Sequence, residues 1–101
     1  MRRIPIAIPL VFLLATAAAG CMSNVPDVDC STATVPSYAQ MTVWDKCTPC
    51  HRSYGDYDNA VAQADDAQQA VADGNMPRGR YSLSADEEDA LYAWAQCGTP
   101  P

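Results

Sequence analysis

Cys47-Thr48-Pro49-Cys50-His51 is the stretch on which the reading of this 101-residue chain turns. Two thiols three positions apart, with an imidazole directly after the second, form the pattern C-x-x-C-H. That spacing lets both thiols add to the two vinyl groups of one porphyrin, and it sets the imidazole under the iron as proximal ligand. The pattern marks a c-type haem attachment site. A bare C-x-x-C would equally suit a redox dithiol or half of a zinc site; His51 separates haem from these.

The N-terminus sets the compartment. Met1-Arg2-Arg3 is a short basic region, and Ile4 to Ala19 is uncharged and apolar apart from Thr16. Ala18-Ala19-Gly20-Cys21 closes the stretch with small residues and a cysteine, as exported chains do at their cleavage site. It resembles the bacterial lipobox, which implies cleavage before Cys21 and acylation of its thiol and new amine. A plain signal peptide or an uncleaved anchor are the alternatives. The apolar run is short for a membrane span and carries Pro5 and Pro9. Residues 1–20 thus read as a lipoprotein signal peptide, which places the chain on the periplasmic side of a bacterial membrane. Met22, rather than Asp, follows the lipidated Cys, which favours the outer membrane.

Of five cysteines, Cys21 goes to lipid and Cys47 and Cys50 to haem. Cys30 and Cys97 remain, and in an oxidising compartment two leftover thiols pair. The alternative is a buried Cys97 and a free Cys30.

Without residues 1–20 the chain keeps Lys46, Arg52, Arg78 and Arg80 against all twelve acidic residues, a formal charge of −8. Such a balance argues against nucleic acid as partner. It keeps a small protein soluble, and it can also orient a redox partner with a basic face. Residues 21–35 carry Pro, Ser, Thr, Asn and Asp without hydrophobic periodicity and read as a lipidated tether. Residues 36–101 form one small domain, whose core is marginal unaided. Three helical segments can be read. Ser37 to Lys46 sets Tyr38, Met41 and Trp44 on one face. Asp56 to Asp73 is alanine-rich, and Gly74 is its C-cap. The third opens with the capping box Ser84-Ala85-Asp86-Glu87 and buries Leu83, Ala90, Leu91 and Trp94. No strand pattern competes, so the fold class is all-α.

A helix leading into C-x-x-C-H, an Ala-rich middle, Gly74-Asn75-Met76-Pro77 and a last helix with Leu91 and Trp94 together resemble a small class I monohaem c-type cytochrome. The match covers about residues 37 to 98. The resemblance implies a domain of about three helices wrapped round one covalent haem c, the first and last helices crossing near Trp94. It also implies Met76 as the sixth iron ligand. The residues agree on Met76. Met22 adjoins the lipid and Met41 lies on the helix entering the motif, whereas Met76 sits in a Gly/Asn/Pro loop 25 residues beyond His51. His51 is the only histidine, so a second imidazole is not available. A thioether favours ferrous iron and suits an electron carrier.

The acceptor for the His51 ring N–H is unassigned, because Arg52 to Asn59 lacks the proline that larger members of the family carry there. Arg52, Tyr54, Tyr57, Arg78 and Arg80 are candidate donors to the haem propionates. The resemblance implies a one-electron carrier rather than an enzyme, acting as a monomer and docking a reductase, an oxidase or another cytochrome near Thr48 and Pro49. A haem sensor or minor peroxidase is the alternative and requires a labile Met76. A zinc-bearing lipoprotein would have to divert Cys30 or Cys97 to the metal.

Overall fold

Ser84 opens the longest helix among the described residues with a reciprocal cap. Its hydroxyl accepts the Glu87 N–H at 3.1 Å, and the Glu87 carboxylate accepts the Ser84 N–H at 3.0 Å. Asp86, Glu87 and Glu88 line the first turn, where the helix dipole favours negative charge. The computed structural model describes residues 24–101. Among them it is helical without strands, with four α-helices: α1 Trp44–Cys47, α2 Tyr57–Ala62, α3 Ala64–Ala72 and α4 Ala85–Gln96. Two 3-10 turns, Tyr38–Gln40 and Arg52–Gly55, complete the framework. The signal peptide expected over residues 1–20, and Cys21 itself, lie outside the described residues.

The first expected helix is broken. Ser37 and Gln40 close a single 3-10 turn, Met41 is extended, and helical geometry resumes only at Val43. The C-terminal tail is the competitor. Pro100 and Pro101 carbonyls accept the Tyr38 and Ala39 N–H groups at 2.8 and 3.2 Å. Between the two turns Met41 and Val43 point inward while Thr42 is exposed, the alternation of an extended segment.

The second expected helix is two. Asp56 caps α2 by accepting the Asn59 N–H. Gln63 then leaves helical geometry, and its side-chain amide donates to Ser53 at 3.1 Å. Helix α3 restarts at Ala64 and buries Ala64, Ala67, Gln68 and Val71. It ends in a Schellman turn at Gly74 (φ +77°), with Asn75 N–H on the Ala70 carbonyl and Gly74 N–H on that of Val71.

Helix α4 buries four consecutive residues, Leu91 to Trp94. Burial all round a helix needs cover on every side. Helix α3 packs on one side, and Trp94 meets the Trp44 ring edge-on at 5.1 Å. Residues 25–36 supply the rest. Val25 and Val28 pack against the core, and Val28, Ala33 and Pro36 line an open groove against Ala90, Tyr92 and Ala93. Gln96 fixes this strap by accepting the Val28 N–H and donating to the Pro26 carbonyl, each at 2.9 Å. Cys30 and Cys97 are joined as a disulfide, their Cα atoms 5.5 Å apart.

Candidate functional site: the Cys47–His51 turn

Helix α1 delivers the motif as one further helical turn. The Cys47 carbonyl accepts the His51 N–H at 2.8 Å and the Cys50 N–H at 3.2 Å. Cys47 and Cys50 are thereby three residues apart on one turn, which sets their side chains on the same face. His51 leaves the helix at φ −128° and ψ 83°, and its carbonyl starts the 3-10 turn that follows.

Both motif thiols are free. The Cys47 thiol is half-buried over the Val43 carbonyl at 3.5 Å. Burial, reinforced by the Glu87 charge, pushes its pKa up to about 11. Cys50 is exposed. The His51 imidazole is exposed as well, with the Tyr54 ring edge-on at 5.9 Å and no hydrogen bond to another described residue. Its ring nitrogens carry no partner, and the structure supplies no carbonyl acceptor for the ring N–H among the described residues.

An aromatic cluster backs the motif. Trp44 stacks on Tyr54 at 5.8 Å and tilts against Tyr38 at 5.1 Å. Trp44 and Tyr54 lie inside the core, yet the Trp44 indole N–H has no acceptor among the described residues. Natural cores rarely leave such a donor unpaired. The sequence sets Trp44 on one face with Tyr38 and Met41 but carries no signal for this unpaired donor, because its surroundings come from distant segments.

A charged clamp holds α1 to the start of α4. Lys46 donates to Glu87 at 2.6 Å, and the Thr42 hydroxyl reaches the other carboxylate oxygen at 2.8 Å. With the Ser84 cap these bonds hold the Glu87 carboxyl down to about 2, the Lys46 hydrogen bond contributing most. Sequence reading found Glu87 as a cap and missed Lys46, 41 residues away.

Met76 lies in a separate loop. It is partly exposed, its N–H reaches the Ala70 carbonyl at 3.2 Å, and its peptide bond to Pro77 is cis. No hydrogen bond or ring contact joins it to the motif among the described residues. The other sequence candidates divide. The Tyr57 hydroxyl is spent on the Thr99 carbonyl. Arg52 is exposed beside the motif, Arg78 donates to the Asn75 carbonyl at 3.3 Å, and Arg80 lies over the Tyr81 ring at 5.5 Å.

The donor set fits covalent haem: two thiols in no disulfide on one turn, an imidazole next to them with no hydrogen bond among the described residues, and a thioether in a loop further on. Among the described residues no three His, Cys, Asp or Glu side chains group as a metal site. The disulfide also takes Cys30 and Cys97 out of reach of zinc. No described helix is long and apolar enough to cross a membrane. No protein-family model, curated protein or solved structure matches the chain.

Proposed function

We propose that this domain is a one-electron carrier. It holds a single haem c through thioethers to Cys47 and Cys50, with His51 and Met76 as axial ligands. A lipid on Cys21 tethers it to the periplasmic side of a bacterial membrane, the outer one favoured. The observation that carries the reading is the Cys47–His51 turn, where C-x-x-C-H stands with both thiols free and the imidazole unpartnered.

When bound, the haem supplies a reversible Fe(III)/Fe(II) couple. The chain's own residues do the rest. Cys47 and Cys50 would hold the cofactor, each S–H adding across one vinyl double bond with sulfur on one carbon and hydrogen on the other. His51 offers a ring nitrogen without first having to break a hydrogen bond. Met76 offers a neutral, soft donor that favours the reduced state. Tyr54, Trp44 and Tyr38 exclude water behind the motif. The −8 charge of the mature chain favours a partner with a basic docking face, met through a small, transient contact.

Absorption spectra of the oxidised and reduced mature protein, produced in a host with c-type haem maturation, test the assignment. A low-spin c-type spectrum with a far-red sulfur-to-iron band is expected, and Met76→Ala should abolish that band. Covalent haem without the band in the parent protein would refute Met76 ligation and point to an open-site sensor or catalyst. Absence of haem would refute the whole reading.

A further inference from the structure

The segment expected to be a loose tether is docked, and this fixes where the chain enters the domain. Val25 and Val28 pack on the core, Gln96 bonds residues 26 and 28, and the disulfide pins residue 30. At its head Asn24 donates from its side-chain amide to Asp73 at 3.0 Å. Two residues, Met22 and Ser23, lie between Cys21 and Asn24, three Cα steps with a reach of about 10 Å at full extension. A lipid on Cys21 therefore holds the Asp73 end of α3 close to the headgroup layer.

The loop that begins there is folded on itself. The Schellman turn closes it at one end, Arg78 Nε donates to the Asn75 carbonyl, and Tyr81 N–H reaches the Arg78 carbonyl at 3.4 Å. It also holds the densest uncompensated positive charge among the described residues. Of their four basic side chains, Lys46 is committed to Glu87 in the one ion pair formed among them. Arg52 stands alone beside the motif. Arg78 and Arg80 are two positions apart, exposed and free of carboxylate partners, with Tyr81 beneath Arg80. Guanidinium forks match phosphate oxygens, and an amphipathic tyrosine suits a membrane–water boundary.

We propose that the Asn75–Tyr81 loop is the membrane-facing surface of the domain, Arg78 and Arg80 resting on the phosphates of anionic phospholipids. The inference rests on acylation of Cys21, which belongs to the function proposed above. Tethering raises the local lipid concentration enough for two arginines to hold an orientation that the acidic remainder of the domain opposes elsewhere. Asp73 accepts from Asn24 and Gln69 and forms no ion pair with either arginine. Met76 lies in the same loop, so its side of the domain faces the bilayer.

The test is hydrogen exchange on the full acylated, haem-loaded protein in vesicles of phosphatidylcholine, with and without phosphatidylglycerol. Flotation is read first. A protein that does not float with vesicles, or a Cys21→Ser variant that floats equally well, refutes the lipid anchor and this inference with it. For a protein that floats through Cys21, exchange over residues 75–82 should slow about threefold or more on the anionic vesicles. High salt and the double variant Arg78→Gln/Arg80→Gln should each erase the difference, with flotation unchanged. Equal exchange on both vesicles, or slowing confined to another segment, overturns the proposal and leaves the anchor standing.

Discussion

Removing the Cys30–Cys97 disulfide should cost this domain about 4 kcal/mol. The bond closes a loop of 68 residues counting both ends. The chain-entropy relation gives about 4 kcal/mol for a loop of that length at room temperature. The relation assumes that the native state survives the loss, and the structure supports that condition. Gln96 still bonds Pro26 and Val28, and Val25 and Val28 still pack on the core. The cost then falls on the unfolded ensemble. A chain of this size has a total stability of about 4–12 kcal/mol, so the variant should sit near the edge of folding. The assay is guanidinium denaturation of haem-loaded mature protein against Cys30→Ser/Cys97→Ser. With a slope of about 2 kcal/mol per molar, the midpoint should fall by about 2 M. Treating the parent protein with reductant should reproduce the shift, because thioethers from Cys47 and Cys50 to the proposed haem would resist reduction. A shift below about 0.5 M at unchanged slope would refute the loop-closure reasoning.

The Glu87 clamp and Trp94 give two more measurements. Glu87→Gln keeps a side-chain acceptor for the cap and removes the charge facing Lys46; it should cost about 1–2 kcal/mol by denaturant titration, since Lys46 is one-third exposed and screened. The same carboxyl titrates at about 2 in the folded domain against an ordinary 4.5. The unfolded chain therefore takes up its proton first as pH falls. The clamp's contribution is full above pH 4.5 and lost as pH falls through about 2. Acid unfolding of Glu87→Gln should be correspondingly flatter, and identical acid limbs would refute the assignment. Trp94 is fully buried and donates to the Pro100 carbonyl at 2.9 Å. Trp94→Phe should lose about 2–3 kcal/mol from that bond and the vacated volume, against about 3–5 for Trp94→Ala. A loss below about 1 kcal/mol for Trp94→Phe by denaturant titration would contradict this packing.

The parts of the fold legible in advance are those that local chemistry decides. Ser84 and Glu87 are three residues apart, so the start of α4 is written in a four-residue window. Gly74 marks the end of α3 for the same reason, since only glycine enters positive φ without strain. The motif turn is likewise local, a matter of one carbonyl and the two N–H groups that follow. What escaped was set from a distance. Nothing near Gln63 breaks a helix; its amide is drawn to Ser53, and α2 parts from α3 there. Met41 is extended because the tail some 60 residues on takes the N–H groups of the preceding turn. Residues 25–36 lack periodicity because they are neither helix nor strand, and their docking rests on Gln96 and Cys97. Tyr92, expected to pack rather than to do chemistry, is buried as expected, whereas Ala93 was missed as a core residue because the strap that covers it was read as a tether.

The polar bonding of the described domain is unevenly spent, and the unevenness has a direction. Around Trp94, the C-terminal tail satisfies several backbone and side-chain donors. Pro100 accepts from Tyr38 and Trp94, Pro101 from Ala39, and Thr99 from Tyr57, while the Thr99 N–H returns to Trp94. On the motif side groups are left over: a half-buried Cys47 thiol, an exposed Cys50, an imidazole without a partner and the buried Trp44 indole N–H. An exposed thiol and an imidazole left free at the surface of a small domain are open to reaction, and an unpaired buried donor costs stability. A covalent cofactor would consume both thiols and the imidazole and bring an apolar plane to a core that is marginal for its size. Cys47 and Cys50 in no disulfide and an imidazole without a hydrogen bond among the described residues are groups that the proposed haem needs, and this coincidence, rather than the motif alone, makes the haem reading the one to test first.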